Sequence, residues 1–87
     1  MSEETPESTP FSDFIIMQAQ SAGLFLGQIP NPQTGETSVN LQAANGVITA
    51  LEMLTEKTNG NLTENETKLL ETAISNLKSL YEKVSTL

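Results

Sequence analysis

The chain has 87 residues, room for one small domain, and sets eleven Asp and Glu against four Lys for a net charge of −7. It contains no His, Cys, Trp or Arg, which excludes disulfides, cysteine zinc sites, thiolate nucleophiles and histidine acid–base chemistry. Four scattered lysines without an arginine also argue against nucleic acid and anionic membranes as partners, since both demand clustered cations.

Residues 1–10, rich in Ser, Thr, Glu and Pro, have little to bury and read as a disordered acidic arm; residues 11–87 form the helical domain. Three of the eleven acids, Glu3, Glu4 and Glu7, stand where a secretory leader carries lysines. The apolar run from Phe14 to Leu26 is broken by Gln18, Gln20, Ser21 and Gly23, and falls short of the roughly 20 residues that span a bilayer. A cytoplasmic location is the expectation.

A first helix is expected over about 12–26, with Ser12 as N-cap, Asp13 in the first turn and Gly27 in the left-handed C-terminal position. At the helical period Phe11, Phe14, Ile15, Ala19, Ala22, Phe25, Leu26 and Ile29 share a main stripe, while Ile16, Met17 and Leu24 point elsewhere. A small domain has one core for one face, so the second set implies another surface. Gln18 falls inside the stripe, and a buried amide needs a partner: a backbone group of the 30–35 loop, its own copy across a two-fold axis, or water if it sits at the stripe's edge. Ala19, Gly23 and Gly27 form a small-residue ladder that suits close packing in water.

The segment Ile29-Pro30-Asn31-Pro32-Gln33-Thr34-Gly35 cannot be helical, because each proline drives its predecessor to extended geometry and Gly35 suits a reversal. Thr37-Ser38-Val39 has room to extend briefly, with no second strand to pair with. The loop either fixes the path between helices or offers its amides to a ligand or peptide. A second helix is expected over 41–58 behind the N-cap Asn40, with Leu41, Ala44, Val47, Ile48, Leu51 and Leu54 inward and Gln42, Asn45, Thr49, Glu52 and Glu56 outward. Gly46, costing about 1 kcal/mol against alanine in a helix, suggests a neighbouring helix crossing close by.

Asn59-Gly60-Asn61-Leu62-Thr63 punctuates the chain most clearly: Gly60 ends one helix, and Thr63 with Glu66 makes a capping box for the next, over 64–86. So short a link implies that helices 2 and 3 form an antiparallel hairpin. Leu69, Leu70, Ala73, Ile74, Leu77, Leu80, Tyr81 and Val84 share its apolar arc; Lys68, Glu71, Ser75, Lys78 and Glu82 share the polar one. The fold class expected is all-α: three helices, the first packed across the hairpin and completed by oligomerisation.

The run Leu26-Gly27-Gln28-Ile29-Pro30-Asn31-Pro32, then Thr34-Gly35 and Val39-Asn40-Leu41, resembles the signature loop of the bacterial domain of unknown function 1844 family. Glu56 to Thr63 is similar to its second block, and Glu66, Leu69, Leu70, Leu77 and Tyr81 fit its closing helix. The likeness covers about Phe11 to Val84. Lys78 departs from a tendency towards arginine there, which bears only on a planar bidentate contact. The resemblance implies a bacterial origin and no activity.

Carboxylates are the only plausible catalytic groups. Glu52 and Glu56, one turn apart, have the spacing for a divalent ion or acid–base pair, but lie on a polar back with no histidine to complete a metal bundle. Glu64 with Lys68, and Lys78 with Glu82, read as ordinary surface pairs. Asn61-Leu62-Thr63 and Asn65-Glu66-Thr67 match a glycosylation acceptor pattern, but Thr63 is already explained as a cap. Tyr81 suits a core ring with its hydroxyl at the edge. No catalytic, metal or cofactor-binding residue is therefore assigned. The expected function is a non-enzymatic interaction or assembly module whose partner is itself. The alternatives are an adaptor holding a larger protein through the first helix and the proline-rich loop and, well below both, a carboxylate-based enzyme or metal-binding protein. The candidate interaction surface is Ile16, Met17, Gln18, Leu24, Ile29, Pro30, Asn31 and Pro32.

Overall fold

The computed structural model describes residues 9–86. Three helices follow in order, α1 (Pro10–Phe25), α2 (Leu41–Lys57) and α3 (Glu64–Ser85), and each packs against the other two. The described residues contain no strand, only one isolated antiparallel bridge between Leu26 and Val39. Residues 1–8 of the expected arm lie outside the described residues.

α1 begins earlier than Ser12. Thr9 is its N-cap and Pro10 opens the first turn, so these two residues of the expected arm belong to the helix. A proline at that position costs nothing, because its missing N–H is one the helix would leave unbonded. Ser12 is instead the far half of a capping box: its backbone N–H donates to Thr9 Oγ1 (3.0 Å), and its Oγ accepts from the Thr9 N–H (2.8 Å). At the other end Gly27 takes φ +77°. The Gln28 N–H donates to the Gly23 carbonyl (2.9 Å) and the Gly27 N–H to that of Leu24 (3.1 Å), a Schellman ending that satisfies two orphan carbonyls. α2 starts behind Asn40, whose side chain accepts from the Ala43 N–H (3.0 Å). α3 starts behind Thr63, reciprocally bonded to Glu66.

Ile15, Ala22 and Leu26 from α1 and its cap meet Ala44, Ile48 and Leu51 of α2 and Leu70 and Leu77 of α3 in one buried core. The face of α1 turned inward also includes Ser12 and Gly23, so it is built largely from small side chains that let the helix sit close. Phe14, expected in the main stripe, lies outside this arc and is 45% exposed. With apolar residues around so much of α1, periodicity alone cannot choose the inward arc; the fit of small residues against two neighbours does. In α3, by contrast, all eight stripe residues from Leu69 to Val84 are buried or half-buried.

Gly46 is also not as expected. A Cβ built there would meet nothing within 4 Å, so no described helix crosses it closely. Of the two glycines inside helices, it is Gly23 that sits under a close neighbour, where a Cβ would lie 3.0 Å from Ile29 Cδ1.

Candidate interaction surface

From Phe14 to Gly35 the chain has no Asp, Glu, Lys or Arg. That stretch supplies the outward side of α1 and most of the connection to α2. Phe14 (45%), Ile16 (45%), Met17 (61%) and Ile29 (39%) are large apolar side chains left in water there. Single exposed apolar residues are ordinary; several along a stretch that carries no charge of its own, with the exposed Asp13 at its N-terminal edge, mark a surface that fits another surface.

The connection is a structured wall beside α1. Its ends are pinned where Leu26 and Val39 bridge and the Asn40 N–H donates to the Phe25 carbonyl (2.6 Å). Its tip is closed on itself: the Asn31 N–H donates to the Glu36 carbonyl (2.8 Å), the Gly35 N–H to the Asn31 carbonyl (2.7 Å), and the Gln33 N–H to Asn31 Oδ1 (2.8 Å). Gly35, at φ +73°, makes the reversal that other residues resist. Between the ends, Ile29 folds back onto Gly23. The result is an open depression of about 380 Å³ lined by Met17, Gln20, Ser21, Leu24, Ile29 and Pro32.

Of the eight residues expected at an interaction surface, Met17, Leu24, Ile29 and Pro32 come together at this depression. Ile16 is exposed beyond its lining, as is Pro30. Asn31 is half-buried and spends its backbone and side-chain oxygen on shaping the loop tip. Gln18 is half-buried, and no buried side-chain polar atom among the described residues lacks a partner. Gln20 and Ser21 were missed, since polar residues on an outer face carry no signal until the loop folds over beside them.

Electrostatics gather elsewhere. Glu66 is 9% exposed, and both carboxylate oxygens are used: Oε2 accepts from the Thr9 hydroxyl (2.6 Å) and Oε1 from the Thr63 N–H (2.9 Å). One carboxylate thus ties the N-terminal ends of α1 and α3, where helix dipoles favour negative charge. The Thr9 hydroxyl first, then the Thr63 backbone N–H and hydroxyl, hold its pKa below the usual glutamate value against the upward push of burial. The pairing signal was Thr9-Pro10, which fits an N-cap followed by a first-turn proline.

A second hollow, about 330 Å³, lies between α2 and α3 and is lined by Asn45, Ile48, Glu52, Lys78, Tyr81 and Glu82. Lys78 donates to Glu52 Oε2 (2.8 Å), which raises the lysine's pKa, rather than pairing with Glu82 along its own helix. The Glu64–Lys68 pair does form, at 3.8 Å and largely exposed. Glu52 is thus engaged by a cation, Glu56 is exposed, and among the described residues no three Asp, Glu, His or Cys gather as a metal-holding group. No described helix is long and apolar enough to cross a membrane.

Against known families, residues 8–83 match the model described as Domain of unknown function (DUF1844), so the chain belongs to that family. Neither the curated proteins nor the solved structures contain a match to it.

Proposed function

We propose that the protein is a non-enzymatic assembly module that works as a homo-oligomer, with a second copy seated on the outer face of α1 and the loop beside it. The observation that carries this is the pairing of a net charge of −7 with a charge-free stretch from Phe14 to Gly35 bearing four exposed large apolar side chains. Two acidic copies repel wherever their carboxylates meet, and like charges in contact are costly. A charge-free apolar face is where they can approach without that penalty, and interface centres are depleted of charge in general. A strongly basic partner would find no complement on this face. The chain has no cysteine for a disulfide, and among the described residues no metal-holding cluster gathers, two devices that stabilise other domains of this size.

Within each copy, α2 and α3 act as an antiparallel hairpin on which α1 is mounted, a reading supported by the short link through Gly60 and the cross-helix Glu52–Lys78 pair. The module belongs to the bacterial cytoplasm, its partner is its own kind, and nucleic acid and membranes are not among its targets.

Sedimentation across a concentration series tests this. The wild type is expected to pass from monomer to dimer or larger species, and Met17→Glu with Leu24→Lys to remain a helical monomer. A wild type that stays monomeric to high micromolar concentration refutes self-association and leaves the same face to an adaptor role.

A further inference from the structure

The outer face of α1 carries both a knob and a hole. Phe14 projects at 45% exposure and is not among the residues that line the depression. The depression lies about two turns further along, with Met17, Gln20, Ser21 and Leu24 on the helix side, Ser21 at the edge towards Phe14, and Ile29 and Pro32 on the loop side. Seven residues separate Phe14 from Ser21, about 10.5 Å along the axis, and at the helical period they lie on the same side of α1. A knob and hole on one face, displaced along one helix, are self-complementary under a two-fold rotation. In such an isologous contact residue i meets j and j meets i.

Resting on the self-association reading above, we infer that two copies pair through antiparallel α1 helices, with Phe14 of each copy lodged in the depression beside Ser21 of the other. The axis then passes midway between the two positions, level with Met17, which lies near the middle of the helix Pro10–Phe25. Met17 meets Met17 of the second copy, and flexible thioether side chains adapt well to such a self-contact. A parallel arrangement would set Phe14 against Phe14 and Ser21 against Ser21, a bulk clash at one end and a gap at the other. It would also bring the two Asp13 carboxylates together at the same end, whereas the antiparallel pair holds them apart and opposes the helix dipoles. The small Ser21 and the folded-back Ile29 make room for the ring, which gives the loop a structural reason to close on Gly23.

The chain has no cysteine, so single introduced thiols report geometry without background. A disulfide needs Cα atoms about 4.4 to 6.8 Å apart. In the antiparallel pair Met17→Cys should cross-link to itself on mild oxidation. Ser21→Cys alone should not, since its two copies are displaced by about 10.5 Å along the axis. A mixture of Phe14→Cys and Ser21→Cys should give the mixed dimer. Phe14→Ala should weaken self-association about tenfold or more, as removal of a central aromatic anchor does, with helicity by circular dichroism unchanged. Cross-linking of Ser21→Cys alone at the Met17→Cys rate means a parallel pair and overturns the inference while leaving self-association standing. A wild-type dimer in which none of these variants cross-links overturns it in favour of another face. A monomeric wild type overturns both readings, and sedimentation of the unmodified chain separates that outcome from the other two.

Discussion

α1 and α3 solve opposite packing problems. α3 hides large side chains, Leu70 and Leu77 at its centre, and turns its charges, Glu66 apart, to water. α1 hides Ser12, Ala22 and Gly23 beside Ile15, and leaves Phe14, Ile16 and Met17 outside. Buried apolar area stabilises either helix at about 25 cal/mol per Å², so a helix serving only its own chain would turn its bulk inward, as α3 does. α1 gives up part of that gain. Its inward face buys close approach to two helices at once, and its outward bulk stays available to a further surface.

Neighbouring residues test this contrast most sharply. Ile15 is 0% exposed and Phe14 45%. Ile15→Ala leaves a cavity among three helices and should cost about 2 to 5 kcal/mol, comparable to the stability of a domain this small. Phe14→Ala should leave the melting temperature of dilute, monomeric protein within a few degrees of wild type. Equal losses by thermal denaturation at low concentration would mean that Phe14 is part of the monomer's core and that the contrast is false.

Next in size is the tie that joins the two helices. Thr9→Ala removes the N-cap of α1 and a hydroxyl donor to Glu66, and should cost about 1 kcal/mol. Because Glu66 is held below its ordinary pKa, its contribution is complete above the unfolded glutamate value and disappears as pH falls through the lowered one. The wild type should lose stability on acidification through and below the usual carboxylate range. Thr9→Val, which lacks the hydroxyl whose bond contributes most to the shift, should show less of that loss. Urea titrations at neutral and acidic pH read the difference; identical pH dependence would show that the Thr9–Glu66 bond does not lower the carboxyl's pKa.

The same contrast explains what was legible in the sequence. α3 was readable almost residue by residue, because a single apolar arc against a charged one leaves one orientation. Asn40, Thr63 with Glu66, and the glycines at 27 and 35 were readable too, since each meets a local backbone need in side-chain or φ terms. Phe14 was misplaced because α1 has apolar residues on several sides, and only contact with α2 and α3 selects Ile15, Ala22 and Leu26. Ser12 drew the N-cap away from Thr9 because both are good caps; the proline at position 10 was the deciding local cue. The depression was half visible. Met17, Leu24, Ile29 and Pro32 stood out by type, but the chain segments meet only because Ile29 folds onto Gly23, a non-local event that periodicity does not encode.

Two helical glycines, one on α1 and one on α2, give the smallest and most discriminating effect. Inside a helix, glycine is about 0.8 to 1.0 kcal/mol worse than alanine. Gly46 is exposed and a Cβ there meets nothing within 4 Å. Gly46→Ala should therefore recover nearly the whole difference and raise the melting temperature by several degrees, about 4 to 8 °C per kcal/mol in a domain of this size. Gly23 is buried, and its Cβ would stand 3.0 Å from Ile29 Cδ1, closer than such contacts ordinarily allow. The end of a partly exposed isoleucine can swing away, so Gly23→Ala should fold, but moving Ile29 costs part of the propensity gain and reshapes the wall of the depression. The expected result is a smaller rise in melting temperature at Gly23 than at Gly46, with weaker self-association for Gly23→Ala alone. If both variants gain equally and associate alike, the contact of Ile29 with Gly23 does not shape the surface, and the loop is a connector rather than one side of a docking face.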